Sequence, residues 1–330
     1  PVSSVKKMYQ QIRSLIQADL DKVNQFVVDQ LYSEVALVES IGHYIVDAGG
    51  KRLRPMLVLL SAKACGIKSD QHINMAAVIE FIHTATLLHD DVVDMSTLRR
   101  GRPTVNEQWN NPSSVLVGDF IYSRAFQVLV NVGDMRIMEI MANTTNKIAE
   151  GEVLQLISKS NPNSTEELYL QVIKNKTAIL FEAAAMSGAM LSGADENKVN
   201  ALAEYGLQLG LAFQLIDDAL DYMGDAQELG KNVGDDLAEG KSTLPLIYTM
   251  ANGTAADRDL IQQSLRAESL APQQLQEIIA LVKSSGALDY TKELAGTKTA
   301  AAVKALEVLP DSEYKTALQE LVEFSLNRKT

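Results

Sequence analysis

Residues 71–94 read QHINMAAVIEFIHTATLLHDDVVD, and this stretch decides the fold. Apolar side chains return at three- and four-residue spacing, through Ile73, Ala76, Ala77, Ile79, Ile82 and Leu87. That is the period of a helix, not the alternation of a strand. The stretch ends in Asp90-Asp91-Val92-Val93-Asp94, with carboxylates at i, i+1 and i+4. In a helix the i and i+4 members share one face a turn apart, where like charges repel. A divalent cation reverses that penalty, because Mg²⁺ takes oxygen ligands from one or two carboxylates together with substrate phosphates. The pattern recurs at Asp217-Asp218-Ala219-Leu220-Asp221, after the apolar run of residues 211–216. One such cluster also fits a solvated acidic face. Two of them in apolar helical sequence point to metal and diphosphate.

Strand signals are almost absent elsewhere, and aromatic residues make up 5% of the chain. The spacing predicts helices over 4–22, 26–48, 52–66, 71–94, 113–132, 134–158, 165–192, 197–224, 242–251, 255–267, 271–285, 288–307 and 311–327. Residues 192–224 could pass for a coiled coil, but Gly206 and Gly210 predict close helix packing instead. No fixed-period repeat and no low-complexity linker interrupts the chain. The expectation is one all-α domain over residues 1–330, a large helical bundle with both aspartate clusters facing a common central cavity.

Composition narrows the function classes. Hydrophobic residues reach 46%, enough for a sizeable core. No run approaches the roughly 18 uninterrupted apolar residues of a transmembrane helix. The start lacks the layout of a signal peptide, and Pro1 in place of Met points to a processed or trimmed end. Cys65 is the only cysteine and reads as a small buried hydrophobe, which fits a reducing, cytoplasmic location. A net charge of −12 lacks the basic footprint of a nucleic-acid binder. It does not exclude an anionic ligand held by locally concentrated cations.

Several basic elements could hold such a ligand. Gly49-Gly50-Lys51-Arg52-Leu53-Arg54-Pro55 opens an apolar helix and offers backbone N–H groups, glycines and cations as a diphosphate cradle. Arg99, Arg100 and Arg102 follow the first cluster into a Gly-Pro loop, where the guanidinium fork suits phosphate and a solvated basic turn is the alternative. Lys176-Thr177 lies inside an apolar helix, and a buried lysine needs an anionic partner. His83 stands two turns before Asp90 and by position alone fits a satisfied core histidine better than a ligand. Gln214 shares a face with Asp217. Residues 230–241, with Lys231, Asp236 and Lys241, form a charged loop that could also be an ordinary solvated hairpin. No HExxH, P-loop, serine elbow or CxxC competes.

In these motifs and their order the chain resembles the trans-prenyl diphosphate synthases over nearly its whole length, and is most similar to the bacterial octaprenyl diphosphate synthases. The resemblance implies an isoprenoid-synthase fold and Mg²⁺, in three ions held by Asp90, Asp94 and Asp217, with Asp91, Asp218, Asp221 and Asp236 in support. It implies that Arg99, Lys176, Thr177, Gln214, Lys231 and Lys241 contact an allylic diphosphate, farnesyl diphosphate above all. Lys51, Arg54, His83 and Arg100 would hold isopentenyl diphosphate, which overturns the core reading of His83. The catalytic set is then Asp90, Asp94, Asp217 and Lys176. The implied reaction is repeated 1'-4 condensation to an all-trans C40 product for a quinone side chain, with C20, C45 or C50 as other lengths. The resemblance also implies a homodimer and a product passed to membrane enzymes. Small Ala85 and Thr86 before the first cluster suggest an open tunnel for the growing chain, with Thr86 the closer contact and Phe126, Leu129 and Val130 as its floor. Close packing of two helices would equally explain the small residues. A terpene cyclase and a non-catalytic regulatory subunit are the competing classes. The second DDxxD argues against the first, and retention of both clusters argues against the second.

Overall fold

The computed structural model describes residues 4–224 and 233–329. Helices dominate, and the only strands among the described residues are two-residue antiparallel partners, β1 (Leu98–Arg99) and β2 (Arg102–Pro103). The N-terminal helices are α1 (Ser4–Leu15), α2 (Gln17–Gln30), α3 (Ala36–Asp47), α4 (Leu53–Ala64) and α5 (Gln71–Val93). After the hairpin come α6 (Val105–Gln108), α7 (Asn111–Val132), α8 (Met135–Ser158), α9 (Glu166–Ile173), a π turn (Lys174–Ala178) and α10 (Ile179–Leu191). The remainder is α11 (Glu196–Met223), α12 (Asp235–Ala238), α13 (Leu244–Asn252), α14 (Ala255–Arg266), α15 (Pro272–Ser284), α16 (Ala287–Ala305), a 3₁₀ turn (Leu306–Val308) and α17 (Glu313–Asn327).

Local chemistry sets the boundaries. Asn110 accepts the Ser113 N–H at the start of α7, Pro112 occupies the first turn, and Gly133 closes the helix at φ 72°. Asp195 caps α11 and Ser312 caps α17 in the same way. The expected helix 26–48 is broken because the Ser33 hydroxyl accepts the Val35 N–H, a side-chain turn that competes with the helical ladder. The expected helix 4–22 is interrupted at Ile16, which lies at φ −116°. The expected helix 165–192 is continuous only through its π turn.

The centre of the bundle is α4, α5, α10 and α11, whose buried side chains form one cluster with Phe81, Phe181 and Tyr205 among its largest members. Glycines let these helices touch. A Cβ on Gly206 would lie 2.5 Å from the Phe181 carbonyl oxygen, and one on Gly210 would lie 2.7 Å from Ala178 Cα. The close packing expected at both positions is therefore present, on α10 and the π turn. By length and composition α7 is the one helix among the described residues that could cross a membrane. Its buried residues, Ile121, Ala125 and Val128 among them, belong to the same core as α5.

Candidate active site

The two aspartate clusters end α5 and lie within α11, and they face one cavity of about 430 Å³. Asp90, Asp94, Asp217 and Asp218 line it, as do Lys51, Arg54, His83, Arg99, Arg100, Lys176, Thr177, Gln214, Asp236 and Lys241. Sequence positions far apart thus converge on one chamber. Lys231 lies outside the described residues.

Asp90, Asp94 and Asp217 already have basic partners. Lys176 Nζ sits 3.3 Å from Asp90 and 3.5 Å from Glu152, and it donates to Gln155 Oε1. Lys241 Nζ donates to Asp94 at 2.9 Å and lies 3.1 Å from Glu239. Arg328 lies 2.6 Å from Asp217. Burial pushes the Asp90 carboxyl up, but Lys176, the Glu152 hydrogen bond and Lys241 together outweigh it and hold the group below the usual carboxylate range. Burial also works against the charge on Lys176 and Lys241, yet the surrounding carboxylates raise both and keep them protonated. The π turn places Lys176 where a regular helix would not, a common use of such an insertion. Gly151 makes room for it, since a Cβ there would meet the Lys176 nitrogen at 2.9 Å.

The remaining aspartates do different work. Asp91 is buried and takes two bonds from Arg99, at 2.6 and 3.0 Å, so it fixes the hairpin after α5 and does not line the cavity. Asp221 is fully buried, and its Oδ2 accepts the Asp236 N–H at 3.3 Å, which anchors α12 to α11. Asp218 accepts from the Tyr169 hydroxyl and from Gln214 at 3.0 Å. Burial and the nearby Asp236 push its carboxyl up to about 7. Thr177 donates to Gln214 at 3.3 Å.

A second basic group lines the same cavity. Arg54 lies 3.3 Å from His83 Nε2 and stacks 4.6 Å from the Phe181 ring centroid. Burial and the Arg54 charge hold His83 well below its ordinary range, so the ring is neutral and Nε2 accepts from Arg54. Burial lowers Lys51 to about 8 and Arg54 to about 10. Arg100 donates to the Gly49 carbonyl, and a Cβ on Gly50 would lie 2.7 Å from its guanidinium carbon. Gly50 therefore gives this arginine room to approach. Glu80, 5% exposed, pairs with Arg52 at 2.5 Å and supplies the counter-charge to this basic group.

Sequence reasoning missed Glu80, Glu152, Gln155 and Arg328. The pair on α8 had a signal: Gly151-Glu152-Val153-Leu154-Gln155 puts two polar groups three apart on one helix face beside a glycine. Burial raises the Glu152 carboxyl to about 8, and its hydrogen bond to Asp90 adds to the rise. One Glu152 oxygen is buried without a hydrogen-bond partner. Hard carboxylate oxygens from both clusters, now matched by side-chain cations, form a donor set that suits Mg²⁺. No ready-made group of metal ligands exists among the described residues.

The expected tunnel floor is not where the sequence placed it. Thr86 lines the cavity, its hydroxyl donating to the His83 carbonyl at 2.6 Å. Ala85 is fully buried and turned toward α7, where its carbonyl would lie 3.4 Å from a Cβ on Gly118. The apolar wall is built from Leu87, Ile148, Val172, Ile173 and Leu180, with no residue of α7. Leu129 is buried in the core and Phe126 packs on that core. Val130 is 64% exposed on the outer face. Close packing of α5 on α7 separates these three from the cavity.

An all-α bundle with paired aspartate helices facing diphosphate-sized basic groups defines a prenyltransferase of the isoprenoid synthase fold. A profile of the polyprenyl synthetase family matches residues 35–282, and the chain belongs to that family. It is 46% identical to the octaprenyl diphosphate synthase of Escherichia coli over 97% of this chain and 98% of that one. It is 48% identical to the all-trans-nonaprenyl-diphosphate synthase (geranyl-diphosphate specific) of Rhodobacter capsulatus over 97% and 98%. A polyprenyl synthase of Caulobacter crescentus, solved with calcium and isoprenyl diphosphate, superposes with a TM-score of 0.95 at 42% identity, covering 98% of both chains.

Proposed function

We propose that the chain, acting as one domain, is a long-chain trans-prenyl diphosphate synthase that makes all-trans-octaprenyl diphosphate by successive additions of isopentenyl diphosphate to farnesyl diphosphate. Family membership carries divalent-metal-dependent chemistry on isopentenyl and allylic diphosphates. The observation that carries the reading is the partition of charge around one cavity. Asp90 and Asp94 of α5 are matched by Lys176 and Lys241, Asp217 of α11 is matched by Arg328, and a further basic group gathers around Arg54 and His83.

In this reading Asp90, Asp94 and Asp217 hold three Mg²⁺, with Asp218 and Asp236 in support. Bound Mg²⁺ supplies charge to the leaving allylic diphosphate as its carbon–oxygen bond breaks. Lys176, Thr177, Gln214 and Lys241 orient that diphosphate, with Arg99 fixed beside them by Asp91. As the carboxylates turn to metal, Lys176 and Lys241 keep their protons and turn to phosphate oxygens. Lys51, Arg54 and Arg100 bind isopentenyl diphosphate, and neutral His83 orients Arg54. The isopentenyl double bond attacks the allylic cation, and the proton lost from the product passes to the departing diphosphate. Leu87, Ile148, Ile173 and Leu180 exclude water from the cation. Thr86 is the side chain beside which the growing chain passes.

Leu116, Val130, Val153, Leu156 and Ile157 leave an apolar outer face on α7 and α8, which supports a homodimer through those helices. We place the enzyme in the cytoplasm, supplying a quinone side chain. The C45 alternative draws support from the nonaprenyl relative. Product mass from farnesyl diphosphate, labelled isopentenyl diphosphate and Mg²⁺ tests the reading. A linear C40 diphosphate supports it, another linear length corrects the product, and a cyclic hydrocarbon or no turnover overturns it.

A further inference from the structure

The last helical residue of α17 is Asn327, and the chain then leaves in an extended conformation. Arg328 turns inward, with its side chain 2% exposed. Its Nη2 donates to the Phe213 carbonyl at 2.7 Å and lies 2.6 Å from Asp217 Oδ1. Its guanidinium carbon stacks 3.7 Å from the centroid of the Phe213 ring, the same ring that lies 5.8 Å from Arg54. A buried guanidinium is stable only with a counter-charge, and the counter-charge here is a carboxylate facing the cavity.

We propose that Arg328 is a tail-borne positioning residue that holds the Asp217 carboxylate in the free enzyme and surrenders it when Mg²⁺ enters with diphosphate. The inference rests on Asp217 being a metal ligand, as proposed above. A divalent ion on Asp217 draws that carboxylate away from Arg328 and places a like charge beside it. The pairing and the metal therefore compete for one carboxylate. Loading the site must then expel the guanidinium and loosen the end of α17, whose anchors Leu318, Leu321 and Phe324 remain in the core. Lys176 and Lys241 stand in the same relation to Asp90 and Asp94, but both sit between folded elements. Arg328 follows the last residue of α17.

The test is hydrogen exchange in the C-terminal peptide of the full-length protein, with Mg²⁺ and inorganic diphosphate as the probe. Exchange in the last turn of α17 should rise about tenfold on loading. Asp217→Asn should show the fast exchange without metal. In calorimetry with inorganic diphosphate, Arg328→Gln should lower the Mg²⁺ midpoint about three- to tenfold. Arg328→Lys should restore part of the wild-type midpoint. An arginine needed only for packing would lower Tm and leave the Mg²⁺ midpoint unmoved, and that result overturns the proposal. Unchanged or stronger tail protection on loading, while Asp217→Asn loses Mg²⁺, overturns the latch and leaves the metal assignment standing. Wild-type Mg²⁺ binding by Asp217→Asn overturns the metal assignment and the latch with it.

Discussion

Replacing Asp90 by Ala separates the chemistry of the site from the stability of the fold. Asp90 is the contact of Lys176 at 3.3 Å, in a region where both groups are largely out of water. Removing one partner of such a buried pair typically costs about 3–5 kcal/mol, because the other charge is left uncompensated. Here a reserve exists. Glu152 lies 3.5 Å from the same ammonium and is raised to about 8 by burial and by its hydrogen bond to Asp90. Without Asp90 that carboxyl loses a reason to stay protonated and ionises beside Lys176 at neutral pH. The stability cost should shrink to about 1–2 kcal/mol, a fall in Tm of roughly 1–3 °C. Turnover has no such reserve, since one side of the metal site is gone. A loss of about 4 kcal/mol of transition-state stabilisation corresponds to about a thousandfold in kcat. The assays are steady-state turnover at saturating Mg²⁺ and denaturant unfolding of Asp90→Ala, Glu152→Gln and the double variant. The double variant should be less stable than the sum of the singles by about 2 kcal/mol. Turnover like wild type in Asp90→Ala, or strict additivity in the cycle, refutes the reasoning.

Lys51, lowered to about 8 by burial, is charged below that pH and neutral above it. Diphosphate binds the charged form, so kcat/KM for isopentenyl diphosphate should fall above about pH 8, and Lys51→Arg should carry the activity to higher pH; a flat profile through that region contradicts the assignment. Arg54→Ala should mainly raise KM for isopentenyl diphosphate and Lys176→Ala that for the allylic substrate; the reverse pattern means the two sites are exchanged. Thr86→Phe should fill the space beside Leu87 and shorten the product to the C15–C20 range while condensation continues, and an unchanged product length shows that the chain grows elsewhere. Gly206→Ala, which would bring a Cβ to 2.5 Å from the Phe181 carbonyl, should cost about 1–3 kcal/mol in denaturant unfolding. Gly296→Ala in α16 meets nothing within 4 Å and should be neutral or stabilising; equal effects would remove the close-packing argument.

Helical period, the paired aspartate clusters and the glycine-flanked cations are local patterns, and the sequence by itself determined the all-α class, the metal-and-diphosphate chemistry and most of the charged residues that line the cavity. The close crossing at Gly206 and Gly210 was legible for the same reason, because a glycine inside an apolar helix has few other uses. What each aspartate touches was not legible. Asp90 and Asp91 are adjacent in sequence, yet one faces the cavity and the other is locked to Arg99, because successive helical residues point about 100° apart. The π turn that seats Lys176 depends on how closely Gly151 lets α8 approach, a contact between segments that no local pattern records. Ala85 and Thr86 looked equivalent as small residues, and only the packing of α5 on α7 turned one into the core and the other to the cavity. The same packing put Val130 on the outer face. Arg328 sits in a short basic run, residues 327–330, to which the sequence alone assigned no role. Its counter-charge is more than a hundred residues earlier in the chain, and only the docking of α17 on α11 brings the two together, because buried charge is satisfied by proximity in space and sequence distance sets no limit on it.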